Sequence, residues 1–316
     1  MSLQYNDKVM IYEQKKNTRQ IRWLMFWVIV SLYTISLVTD AVFSFFETSH
    51  LTYIIYVKML IKQVLAILLP MLIFFRVGEI NLQKSSKINL RLNKFTFVQA
   101  LMVMILAMCG YFITMTLNAP FAIIQESFFS NNLPPVGIFT GNDSDIPLAI
   151  ISLAIVPAIL EEVLMRGVVF GVTERQSTMF AAIFTTFVFA ILHSDIFGIL
   201  GFIFLGIMLI FVMLRTNSLY AAIFYHFIHN FTAFMFEYLL RKEIIKVNPL
   251  IVWIFISAIV VFIVAMFIFR LITPSAPKNK VKDTLALVVE NIFSIPIILC
   301  IIVAVVVQYF NLFGGI

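Results

Sequence analysis

The chain is 316 residues long, 62% hydrophobic and only 12% charged, with a formal net charge of +6. Soluble domains are about half apolar and a quarter charged, so this composition belongs to the membrane class and excludes an ordinary water-closed globule. The basic residues fall in short connections between apolar runs, which makes them signals of topology rather than a nucleic-acid-binding face.

A helix needs about 20 mostly apolar residues to cross the hydrocarbon. In chain order the runs 23–46, 51–75, 95–118, 147–170, 179–194, 197–214, 218–240, 250–272 and 285–310 read as spans. The fifth and sixth are short enough for one of them to be tilted, kinked or only partly spanning. The expected fold is therefore all-α: a polytopic transmembrane helical bundle of about eight to nine spans. Residues 1–22 form a basic segment that does not read as a cleavable signal, because the run after it has full spanning length and no small-residue cleavage site. The expected organisation is a cytoplasmic segment 1–22, N-terminal helices 23–118, an extracytoplasmic loop 119–146, a central helical core 147–240 and C-terminal helices 241–316. Cys109 and Cys300 both lie inside apolar runs, so no disulfide framework or metal knuckle is expected.

Orientation follows from Lys and Arg. Lys8, Lys15, Lys16, Arg19 and Arg22 precede the first run, and Arg76, Lys84, Lys87, Arg91 and Lys94 follow the second. From Lys94 to Arg166 there is no basic residue, while 119–146 holds Glu126, Asp143 and Asp145 and a Leu133–Pro135 turn. The bias places the N-terminus inside and 119–146 outside, with Arg166, Arg175, Arg215 and Lys278, Lys280 and Lys282 inside. The connection with Arg241, Lys242 and Lys246 breaks the rule, so either the bias is overridden there or a short helix does not cross.

Ionisable side chains inside hydrocarbon cost roughly 2.5–3.5 kcal/mol on insertion scales, so each calls for a partner or a task. Glu162 and Arg166 are four apart in the favourable order and can pair on one helix face, an arrangement that taken alone is a salt bridge at a helix end. Glu161, about 100° round the helix, is left out of that pair. A carboxylate in a low-dielectric site has a raised proton affinity, as a general base near neutral pH requires. His193 follows Phe189 by four on an otherwise apolar helix, where a single His can simply bond backbone. His226 and Asn230 share a face, with His229 beside the same stripe, and singly these are polar glue between helices. Three such clusters on three helices at similar depth are more simply explained by one shared cavity. No P-loop, Gly-x-Ser-x-Gly elbow or dinucleotide fingerprint is present, and Ser152 has no evident base.

The ordered set Glu161-Glu162-Val-Leu-Met-Arg166, Phe189-Ala-Ile-Leu-His193 and His226-Phe-Ile-His229-Asn230 resembles the CPBP family, the CAAX prenyl proteases and bacteriocin-processing enzymes also called Abi. Gly201, Gly206 and Arg215-Thr-Asn-Ser resemble the family's glycine-bearing helix and turn, and the resemblance covers roughly 147–235. It implies an intramembrane peptidase with 147–240 as its catalytic core and a polar catalytic cavity among the central helices, in which Glu161 and His193 activate a water. His226 and Asn230 would stabilise the oxyanion, and Glu162 with Arg166 would hold Glu161 in place. No cofactor is expected. Glu161, His193 and His226 would nevertheless be the ligands if the site held zinc, although HExxH is missing. The expected partner is a membrane-associated peptide or protein substrate, together with lipid and no nucleic acid, in a bacterial plasma membrane. A non-catalytic scaffold or bacteriocin self-immunity protein is the alternative, and a transporter would need interrupted helices or an inverted repeat. Of the remaining charges, Asp40 and Lys58 are expected to form a buried pair with Lys62 one turn deeper, and Glu290 has no evident partner.

Overall fold

In hydrocarbon a backbone must satisfy its own polar groups, and a helix does so within one segment. The computed structural model describes residues 2–45, 53–77, 90–129, 142–246, 251–274 and 284–313. Its regular structure is helical apart from one isolated antiparallel bridge, Leu92 to Ser218. His50, Lys84, Lys87, the Leu133–Pro135 turn and the cluster Lys278, Lys280 and Lys282 lie outside the described residues.

Helices α1 (Ser2–Ser44), α2 (Tyr53–Val77) and α3 (Phe97–Phe129) precede a long central run, α4, spanning Asp143–Thr173. Then come α5 (Thr178–Leu192), α6 (Ile199–Thr216), α7 (Leu219–Arg241), α8 (Ile251–Ile272), α9 (Thr284–Ile292) and α10 (Ile295–Phe313). Seven are long and apolar enough to cross a membrane: α1 from Tyr12, α2, α3, α4, α6, α8 and α10. The protein is thus an integral, multi-pass helical bundle. α7 has 23 residues, but His226, His229, Asn230 and Glu237 dilute its apolar character. With 15 residues, α5 reaches only about 22 Å against a hydrocarbon of about 30 Å.

Three boundaries differ from expectation. The segment 1–22 is continuous with the first span, so α1 is one rod of roughly 64 Å. α3 passes through Pro120 to Phe129, making 119–129 helix rather than loop. Proline removes one ladder bond, and Phe121–Ile124 continue the apolar face beyond it. The last run divides at Phe293–Ser294, where Ser294 Oγ donates to Asn291 O (2.7 Å) and Pro296 enters the first turn of α10.

α1 buries Ile21, Leu24, Met25, Val28 and Ile29, a helical stripe against α2 and α10. α4 is held among α2, α5 and α7. At one end of the bundle Leu219 N donates to Arg91 O (2.8 Å) and Asn93 Nδ2 to Asn217 O (2.8 Å), joining the start of α3 to the α6–α7 turn. At the other end Lys242 Nζ lies 2.8 Å from Asp143 Oδ1, so the end of α7 and the start of α4 share a face. The hairpin α5–α6 leaves and returns to one end, so the depth it reaches does not alter the side of 241–246. The basic residues there are paired, with Arg241 on Glu237 (3.0 Å) and Lys242 on Asp143.

Asp40 and Lys58 do pair, at 2.5 Å, but the side chains are 59% and 31% exposed, so the pair is not buried as expected. An exposed pair is worth about 0–1 kcal/mol. Asp40→Asn should therefore shift the detergent melting temperature only slightly, and a large drop would show that the pair is structurally decisive. Glu290 lies in electrostatic range of Arg22, whose Nη1 donates to the neighbouring Asn291 Oδ1 (3.0 Å).

Candidate functional site

α4 is not a uniform helix. Two π-helical stretches, Ile151–Ile155 and Val163–Phe170, bracket the α-helical Val156–Glu162. The first precedes Pro157, whose missing N–H loosens the ladder locally. Such π segments inside α-helices recur at functional sites. Here they sit on either side of Glu161 and Glu162, and the two carboxylates look in different directions.

Glu161 faces a cavity of about 270 Å³ between α4, α5, α1 and α2, whose wall includes His193, Phe189, Lys62, Gln63 and Val28. His193 is the C-cap of α5. Its Nδ1–H donates to Phe189 O (2.8 Å), since a carbonyl only accepts, and the ring stacks on Phe202 at 4.0 Å between centroids. With Nδ1 committed, Nε2 carries the lone pair of the neutral ring and lies 3.9 Å from Glu161 Oε2. That oxygen is buried and has no hydrogen-bond partner. The chain reverses directly after His193 through Ser194, at φ 48° in the left-handed region that non-glycine residues seldom occupy.

Glu162 points to the interior and is fully buried. Its Oε1 accepts from Arg166 Nη1 (2.9 Å) and pairs with His226 Nδ1 (2.9 Å), while Arg166 Nη2 donates to Gly206 O (3.2 Å). The guanidinium also lies over the Phe189 ring, 4.6 Å from its centroid. Gly206 admits this approach because α6 runs against α5, where an added Cβ would lie 3.0 Å from Thr186 Cγ2. Glu162, Arg166, Phe189 and His226, with Gly206 O, thus form one packed unit linking four helices, α4, α5, α6 and α7.

The expected residues therefore divide. Glu161 and His193 come together on the cavity, and His226 stands behind them on Glu162. Asn230 is one turn further along α7, half-buried, with a single long contact of 3.5 Å between its Oδ1 and His229 Nδ1. His229 turns away from the cavity toward α3, where Nε2 lies 3.3 Å from Thr114 Oγ1 and the ring meets Tyr111. The expected triad of metal candidates does not assemble. His226 is engaged by Glu162, and among the described residues no three His, Cys, Asp or Glu side chains converge as a ligand set. Sequence reasoning missed Lys62 and Gln63 on the cavity wall. It also missed Asn118, whose Oδ1 accepts from Gly201 N (2.9 Å) to hold the start of α6. An isolated Gln in an apolar run was a usable signal; which helix α2 would face was not.

Fold and site together define a polytopic helical membrane protein with an acid–histidine cavity among its central helices. Residues 143–232 match the family model described as Type II CAAX prenyl endopeptidase Rce1-like. This match covers the segment that builds the cavity, the same stretch that carries the sequence resemblance. A second similarity is to the Bacillus subtilis protein named Putative membrane peptidase YdiL, 34% identical over 86 residues, covering 27% of this chain and 35% of that protein. No solved structure matches.

Proposed function

We propose that the protein is an intramembrane endopeptidase that hydrolyses a peptide bond in a membrane-associated peptide or protein, with its N-terminus cytoplasmic. The observation that carries the reading is the facing pair Glu161 Oε2 and His193 Nε2, both acceptors, 3.9 Å apart on a cavity. A water about 2.8 Å from each can donate one hydrogen to each at that separation. As its oxygen attacks the carbonyl carbon, Glu161 takes a proton as general base. The tetrahedral oxyanion then collapses, the C–N bond breaks, and the proton passes from Glu161 to the leaving amine.

His226 and Asn230 are proposed as the oxyanion donors. Because an ionised Glu162 only accepts, His226 Nδ1 donates to it, and an Nε2–H donor then requires the charged ring. Glu162 fixes the orientation of that ring through the 2.9 Å contact with Nδ1. The donor set fits glutamate-activated water better than zinc. A zinc site here would need His226 released from Glu162.

The test compares Glu161→Ala and His193→Ala with the unaltered protein on a quenched fluorescent peptide library in liposomes, with detergent melting as the control for folding. Losing either group should cut cleavage by about 10²–10⁴-fold at unchanged melting temperature. A chelator should leave cleavage intact. Full cleavage by either variant sinks the reading, and a chelator-sensitive rate sinks its metal-free form.

A further inference from the structure

The wall of the Glu161 cavity carries a cation that the proposed hydrolysis does not use. Lys62 of α2 lines the same cavity as Glu161 and His193, and its neighbour Gln63 lines it too. Among the described residues Lys62 makes no hydrogen bond or ion pair. The acid in its electrostatic range is Asp40, which is held at 2.5 Å by Lys58. Glu161 does not satisfy it either: its near partner is His193 at 3.9 Å, and among the described residues no ion pair joins Glu161 to Lys62. Independently, Gln63 Oε1 is buried without a hydrogen-bond partner. An ammonium within a membrane-spanning helix is costly, and such groups characteristically mark substrate or ion paths. The cavity thus has two separated poles, an acid–imidazole pair and a cation flanked by an unsatisfied amide, on an otherwise apolar wall of Val28, Leu32 and Met59.

We infer that Lys62 is a specificity residue that binds a carboxylate of the substrate peptide while its scissile bond lies at Glu161 and His193. The inference rests on the peptidase reading and deepens it. A peptide entering the cavity brings N–H groups that can bond the orphan Gln63 oxygen, and an anionic group that can meet the Lys62 ammonium where water is scarce and the attraction is strong. Two sources supply that carboxylate: the free C-terminus, or an Asp or Glu side chain a few residues from the cut. Lys62 acts by binding, so its loss should raise KM for anionic peptides and leave kcat largely unaltered.

The experiment uses the full-length protein in liposomes and the same fluorescent library made in four forms. These are free C-terminal acid or C-terminal amide, each with or without Asp and Glu. The unaltered protein should prefer the carboxylate-bearing pools, and Lys62→Gln should lose that preference through a rise in KM of about tenfold or more. Lys62→Arg should retain it, and Lys58→Gln, on the exposed pair, should not disturb it. Preference for the acid over the amide form identifies the C-terminus as the ligand; preference for Asp- or Glu-containing pools identifies a side chain. If Lys62→Gln keeps the full preference, or slows every pool equally, the inference fails while the peptidase reading stands. If the unaltered protein cleaves no pool, or Glu161→Ala cleaves as well as it does, both fail.

Discussion

Replacing Glu162 by alanine is expected to destabilise the protein by about 3–5 kcal/mol. The carboxylate is fully buried and shared between Arg166 and His226, both also buried. Its removal would leave an arginine with one backbone acceptor, Gly206 O, and an aromatic face, Phe189, to compensate a full charge. Chemical denaturation in detergent micelles measures the loss. The double variant Glu162→Leu with Arg166→Met should recover much of it, because replacing a whole buried pair is far cheaper than breaking it. Recovery without cleavage would separate two tasks of Glu162, stabilising the helices and orienting His226. Failure of the single variant to lose stability would mean that Arg166 is solvated in the membrane, contrary to its burial.

The second large effect concerns rate alone. Asn230 makes one long contact among the described residues, so Asn230→Ala should melt as the unaltered protein does. If its amide donates to the oxyanion, kcat should nevertheless fall about 10²–10³-fold, the range for losing one such donor. Single-turnover cleavage of a library hit reads this directly, and an unchanged kcat removes Asn230 from the reaction. His226 offers no such clean separation, because its ring also bonds Glu162.

Much of the bundle was legible from local pattern, since the hydrophobic runs and their breaks are properties of neighbouring residues. Within the described residues each expected run proved helical, the last of them broken at Phe293–Ser294, and the i, i+4 relation of Glu162 and Arg166 became a 2.9 Å bond. Conjunction of Glu161 with His193 was readable from the residues themselves only as three polar clusters at similar depth, and as a pair only through the family resemblance. Nothing local could show that His226 would be held by Glu162 or that His229 would turn toward α3, because these depend on how α7 rotates between α4 and α3. The extension of α3 beyond Pro120 was hidden for a different reason. A proline reads as a stop in water, while in a membrane helix the freed carbonyl is a tolerable local defect. The π segments left no trace in composition, since Ile-Ser-Leu-Ala-Ile and Val-Leu-Met-Arg-Gly-Val-Val-Phe fit an α-helix equally well.

Those two wide turns make α4 a ruler with spare length in it. Each holds a loop of backbone wound more loosely than its surroundings, and each can be gained or lost without breaking the span. Angular phase, rather than side-chain identity alone, is then what aims one carboxylate outward and its neighbour inward. A substitution on α4 changes a tool in place, whereas shortening it by one residue would turn everything beyond that point by about a quarter of a revolution. Related chains that differ in this helix by a one-residue gap could therefore carry the same acids and arginine in a different order around the axis, with their chemistry redistributed and their letters unchanged.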